Sequence, residues 1–193
     1  MVDTAADPAT GGVRNDARRR LKEIIAEKAL VQGEGFRLAS GATATFYLDM
    51  RVVSMDPEGS TLIGELMLDR VLGFGAAVGG METGGIPVAA AIAQASYRRG
   101  RPVPAFYVRK AAKEHGRQRR IEGNVPATGR VVVVEDVTTT GASALEAVAA
   151  LREAGLEVAR VVTIVDRQQG ADAAFLAAGV DFDALFTRAD FGL

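Results

Sequence analysis

Hydrophobic positions along this chain fall into blocks of two periods. Ala17, Leu21, Ile24, Ile25 and Ala29 recur at helical spacing and predict a helix over 14–31. Extended segments are predicted around 35–38 and 43–50, with the turn Ser40-Gly41 between them. Asp56-Pro57 has the form of an N-cap followed by proline at the first helical position, and opens a predicted helix to about Leu72. Strands and helices then alternate: strand 76–78, helix 86–98, strands 103–108 and 130–134, helix 141–154, strand 157–165. That order predicts an α/β fold with a central, mostly parallel sheet flanked by helices. The pieces outside it, 13–50 and 167–193, are expected to form a small cap over the strand ends. No internal repeat interrupts the pattern, and 13–193 reads as a single domain.

The densest block is Val131–Ser143, VVVVEDVTTTGAS. Its four valines suit a strand buried on both faces, and carry structure rather than chemistry. The adjacent carboxylates Glu135 and Asp136 are expected at the strand's carboxyl end, where open α/β sheets bind ligands. Two neighbouring buried acids repel each other, so their presence asks for a ligand, and the cis-diol of a ribose fits. The threonine turn then puts hydroxyls and unpaired N–H groups at a helix N-terminus, a ready phosphate cradle.

Other segments add to this. Gly79-Gly80-Met81-Glu82-Thr83-Gly84-Gly85 joins a short strand to a helix, and its glycines would let backbone approach phosphate oxygens. From Arg109 to Arg120 the chain carries six Lys/Arg against one acid, Glu114. A long cationic loop (110–123) inside a compact domain, beside a polyphosphate site, is suited to neutralising a leaving pyrophosphate. Phe46, Tyr47 and Arg51 offer aromatic faces and a cation, and Arg167 ends the last long strand in Asp166-Arg167-Gln168-Gln169-Gly170.

Composition narrows the classes. The chain has 193 residues, 48% hydrophobic and 24% charged, which is the balance of a globular domain. A net charge of −1 argues against a general nucleic-acid binder. Without cysteine and with a single histidine, no His/Cys metal cage can form, so any metal must take oxygen ligands. Residues 1–12 are polar and small, lack the pattern of a signal peptide, and are expected to be a disordered tail. No apolar run reaches a membrane span, so a cytoplasmic enzyme is expected. The motif GxxxxGK[ST] is absent, as is GxSxG.

In this order, FRLASGATATFYLDMR, GGMETGGIP, FYVRKAAKEHG with RRIEG, VVVVEDVTTTG and DRQQG resemble the orotate phosphoribosyltransferase family of type I phosphoribosyltransferases. The resemblance covers nearly the whole chain from Arg14. It implies transfer of the 5-phosphoribosyl group of 5-phosphoribosyl 1-diphosphate (PRPP) to orotate, giving orotidine 5′-monophosphate and pyrophosphate in pyrimidine biosynthesis. It further implies a type I fold whose cap forms a hood, magnesium held by substrate and water, and a homodimer whose flexible loop reaches the neighbouring site. Residue by residue, Arg109, Lys110, Lys113 and His115 would contact pyrophosphate, with Lys113, His115 and Asp136 the catalytic groups. Glu135 and Asp136 would hold the ribose hydroxyls. The PRPP signature would run on through Val137, Thr138, Thr139, Thr140, Gly141, Ala142 and Ser143, where the turn takes the 5′-phosphate. Arg167 would hold the orotate carboxylate, with Thr140 near the base. Where some family members carry phosphate-binding lysines, this chain has Ala39 and Thr83-Gly84, leaving backbone amides or Arg117, Arg119 and Arg120 to compensate. The alternatives are a purine or other-base phosphoribosyltransferase, which would share the acidic motif, and a non-catalytic nucleotide-binding regulator.

Overall fold

The computed structural model of the chain describes residues 8–37, 43–111 and 120–193. Helix α1 (Pro8–Ile24) runs into a π-helical turn (Ile25–Ala29), and strands β1 (Leu30–Arg37) and β2 (Thr43–Leu48) pair antiparallel as a separate ribbon. After α2 (Arg51–Ser54) and α3 (Pro57–Val71) come β3 (Ala77–Met81), α4 (Gly85–Arg98), β4 (Ala105–Val108) and β5 (Ile121–Gly123). The chain closes with β6 (Arg130–Thr138), α5 (Ala142–Glu153), β7 (Glu157–Asp166), α6 (Ala171–Ala177), β8 (Asp181–Thr187) and a 3₁₀ turn (Arg188–Phe191). The Asp56 carboxylate caps α3 as predicted, accepting from the amides of Glu58 and Gly59 at 3.1 and 2.9 Å.

Six strands form the main sheet in the order β5-β4-β3-β6-β7-β8, parallel except for β5. The valines of β6 divide between two cores. Val132 and Val134 pack with Leu21, Ile63 and Ile92 on one face; Val131 and Val133 pack with Ala147, Leu151 and Phe175 on the other. Helices α1, α3 and α4 therefore cover one face, while α5 and α6 cover the other.

Three expectations need correction. Residues 167–193 do not join a cap: β8 pairs in parallel with β7 and sends Leu185 and Phe186 into the core. Its apolar signal is broken by Asp181 and Asp183, which the fold neutralises by ion pairs with Arg160 and Arg70, both at 2.6 Å. Residues 121–123 are not loop either, because they form an edge strand on β4, with Ile121 opposite Val108. Finally, α1 begins at Pro8, inside the expected tail; proline is tolerated there because the first helical N–H needs no partner.

Candidate active site

Strand order decides where the site lies. From β3 the chain moves to β4 on one side, and from β6 to β7 on the other, so the loops after β3 and β6 diverge. The helices that follow them, α4 and α5, lie on opposite faces. The carboxyl ends of β3 and β6 thus flank a crevice at the topological switch point, the usual ligand position in such sheets. A cleft of about 310 Å³ opens there, lined among others by Tyr47, Arg51, Glu82, Lys110, Glu135 and Asp136.

Strand β6 is longer than its valines suggested. It stays paired with β7 as far as Thr138 opposite Asp166, so the acids sit inside the ladder rather than beyond it. Burial, reinforced by the neighbouring Asp136 charge, pushes the Glu135 carboxyl up to about 8. Burial also raises Asp136, although its Oδ1 accepts the Val137 amide at 2.8 Å. Without a ligand, these acids are held in a setting that disfavours their charge; hydroxyl donors would reverse that preference.

Beside them, a small cavity of about 100 Å³ is lined by Glu135, Val137 and Thr139–Ser143. Gly141, at φ +83°, turns the chain into α5, and no side chain caps that helix. Its first amides remain open to an anion. Thr138 does not line this cavity: its hydroxyl is buried at the strand end and has no partner among the described residues. Thr140 and Ser143 are exposed.

Gly80, inside β3, and Gly84, in the loop that follows it, serve packing first. A Cβ on Gly80 would lie 1.9 Å from the Val134 carbonyl oxygen, so β3 and β6 could not approach. A Cβ on Gly84 would lie 2.5 Å from Asp136 Oδ1; glycine here vacates the space the carboxylate fills. The Glu82–Thr83 peptide is cis.

Charged residues meet the cleft unevenly. Arg51 forms a fork with Asp49, at 2.8 and 2.9 Å, which lowers the Asp49 pKa. Lys110 lines the cleft, whereas Arg109 does not: its guanidinium lies 3.7 Å from Glu122. Arg167 is only 4% exposed and lies over the Phe46 ring at 4.5 Å. Its Nε and Nη2 find no acceptor among the described residues, and burial, with Arg188 nearby, lowers its pKa. Lys113, His115 and Ala39 lie outside the described residues. Among the described residues no three metal-ligating side chains come together. Sequence reasoning missed the Phe46–Arg167 stack, which joins residues 121 positions apart.

Residues 75–175, which hold the switch-point crevice, the Glu135–Asp136 pair and the uncapped start of α5, match the family model "Phosphoribosyl transferase domain", so the chain carries a phosphoribosyltransferase domain. An orotate phosphoribosyltransferase of Bradyrhizobium sp. (strain ORS 278) is 48% identical over 183 residues, covering 92% of this chain and 98% of its own. The crystal structure of Mycobacterium tuberculosis H37Rv orotate phosphoribosyltransferase with Fe(III) dicitrate superposes with a TM-score of 0.80 at 44% identity, covering 92% of this chain and 99% of that one. The same protein in complex with PRPP gives a TM-score of 0.76 at 39% identity and the same coverage. The chain belongs to the orotate phosphoribosyltransferase family.

Proposed function

We infer that this chain carries out the reaction of its family, transferring the 5-phosphoribosyl group of PRPP to orotate with release of pyrophosphate. The observation that carries the inference is the juxtaposition of Glu135 and Asp136 with the uncapped start of α5, two adjoining cavities offering a diol site and a phosphate site side by side. In this reading the 5′-phosphate rests on the amides and hydroxyls of Thr139–Ser143. The two carboxylates accept from the ribose hydroxyls and hold the ring in place. Breaking the C1′–O bond builds oxocarbenium character on the sugar and negative charge on the departing pyrophosphate. The sugar's positive charge forms in the field of the two carboxylates, while Lys110, with Lys113 and His115, meets the pyrophosphate. Orotate is anionic at its carboxylate and still carries the N1 proton, which is lost as the N1–C1′ bond forms and passes to the departing pyrophosphate or to water. Arg167, desolvated and short of acceptors, suits the orotate carboxylate.

We propose that magnesium would be carried by substrate oxygens and water, as suits an ion that dehydrates reluctantly. When bound, magnesium would supply charge neutralisation on the pyrophosphate. We further propose that the enzyme acts in the cytoplasm as a homodimer, with Lys113 and His115 serving the neighbouring site. No helix among the described residues is long and apolar enough to cross a membrane. The direct test follows orotate absorbance after PRPP and magnesium are added, with uracil and hypoxanthine as control bases. Consumption of orotate alone is expected. Consumption of a control base with orotate untouched would overturn the assignment.

A further inference from the structure

We propose that Glu82 is a positioning residue: its carboxylate joins the glycine loop to the base of the cationic segment and so sets where Lys110 stands in the cleft. This rests on the reaction inferred above. In the β3–β4 register, Met81 stands opposite Val108, and the Glu82 N–H donates to the Val108 carbonyl at 2.8 Å. A regular parallel ladder would continue with the Lys110 N–H donating to the Glu82 carbonyl, because each residue's N–H and C=O bracket one residue of the neighbouring strand. Instead, the Lys110 N–H donates to Glu82 Oε1 at 2.9 Å. The side chain replaces its own carbonyl, one position past the last paired residue of β3. The main chain is thereby free to leave the strand into Thr83-Gly84, where Asp136 needs the vacant space. Meanwhile β4 remains tethered as far as Lys110.

The other edge of this base is held separately. The Arg109 N–H donates to the Arg120 carbonyl at 2.8 Å, Arg120 Nε donates to the Arg109 carbonyl at 3.1 Å, and Arg120 pairs with Glu146 on α5. Glu82 thus supplies the hold from the cleft side, and it lines the cleft together with Lys110. A carboxylate facing a polyphosphate site repels the substrate, so charge alone gives no reason for it. Its acceptor oxygen does, and a glutamine would offer the same atom without the charge.

Initial rates and pyrophosphate calorimetry on wild type, Glu82→Gln, Glu82→Ala, Lys110→Ala and the double alanine variant test this. Leaving the Lys110 amide without its acceptor in Glu82→Ala should raise the KM for PRPP and weaken pyrophosphate binding by about tenfold, with the KM for orotate moving less than about twofold. Glu82→Gln should stay within about threefold of wild type, because the acceptor is retained. In the Lys110→Ala background the Glu82→Ala change should add little. The inference is overturned if glutamine is as damaging as alanine, if both KM values move together, or if the two alanine effects add. Glu82→Met, which keeps the side chain's length, replaces the alanine variant should that not fold; failure of both to fold would equally overturn a positioning role. A wild type inert toward orotate would defeat the assigned reaction instead, and the calorimetry would still judge Glu82.

Discussion

Arg167 is a cation at 4% exposure with two nitrogens lacking acceptors among the described residues, an arrangement that costs stability unless a ligand compensates. Replacing it with methionine, which keeps much of the packing against Phe46, should leave the unliganded melting temperature unchanged or higher. The KM for orotate should rise by about thirtyfold or more, the scale of losing a charge-assisted pair. A lower melting temperature with an unaltered orotate KM would remove Arg167 from the base site. Glu135 makes a second residue-level prediction. Its pKa is about 8 in the fold against a reference of 4.5, so between those values the folded state holds the extra proton. The contribution to stability is therefore full below 4.5 and is lost as pH rises through about 8. Denaturant midpoints across that range should fall more steeply with pH for the unliganded wild type than for Glu135→Gln; parallel slopes would contradict the assigned burial effect.

At the scale of elements, the loop between β3 and α4 is shaped by what β6 places beside it. Gly84→Ala puts a methyl where the Asp136 carboxylate lies, and displacing that group should raise the KM for PRPP by about tenfold to a hundredfold while the fold survives. Unchanged kinetics would show that Asp136 relaxes without consequence. The same loop explains what could be read from the chain and what could not. The alternation of β3, α4, β4, β6, α5 and β7 was legible because the valines of β6 and the apolar blocks around them are local signals. The acidic pair and the threonine turn were legible as chemistry for the same reason. Strand β8 was not, because Asp181 and Asp183 mask its period and their arginine partners come from distant elements. Strand β5 was not, because three residues beside a basic run carry no period at all. The need for glycine at Gly80 and Gly84 is not legible either, because the Val134 carbonyl and the Asp136 carboxylate that exclude side chains there come from a strand more than fifty residues away.

For the whole molecule, function follows from where the sheet changes direction. The net charge of −1 says little about ligands, since the cleft sets Arg51 and Lys110 beside Glu82, Glu135 and Asp136. What the fold supplies is separation: carboxylates near the carboxyl end of β6, open amides at the start of α5, and the Lys110 cation just past β4. The central claim is that phosphoribosyl transfer to orotate takes place over the β6 carboxylates. The most direct measurement compares orotate consumption by wild type with that by the Glu135→Gln/Asp136→Asn double variant, at saturating PRPP and magnesium. The account predicts a wild type active on orotate and a double variant whose kcat is lower by about a hundredfold or more, as when charge stabilisation of a transition state is removed. A double variant that turns over orotate at the wild-type rate would contradict it.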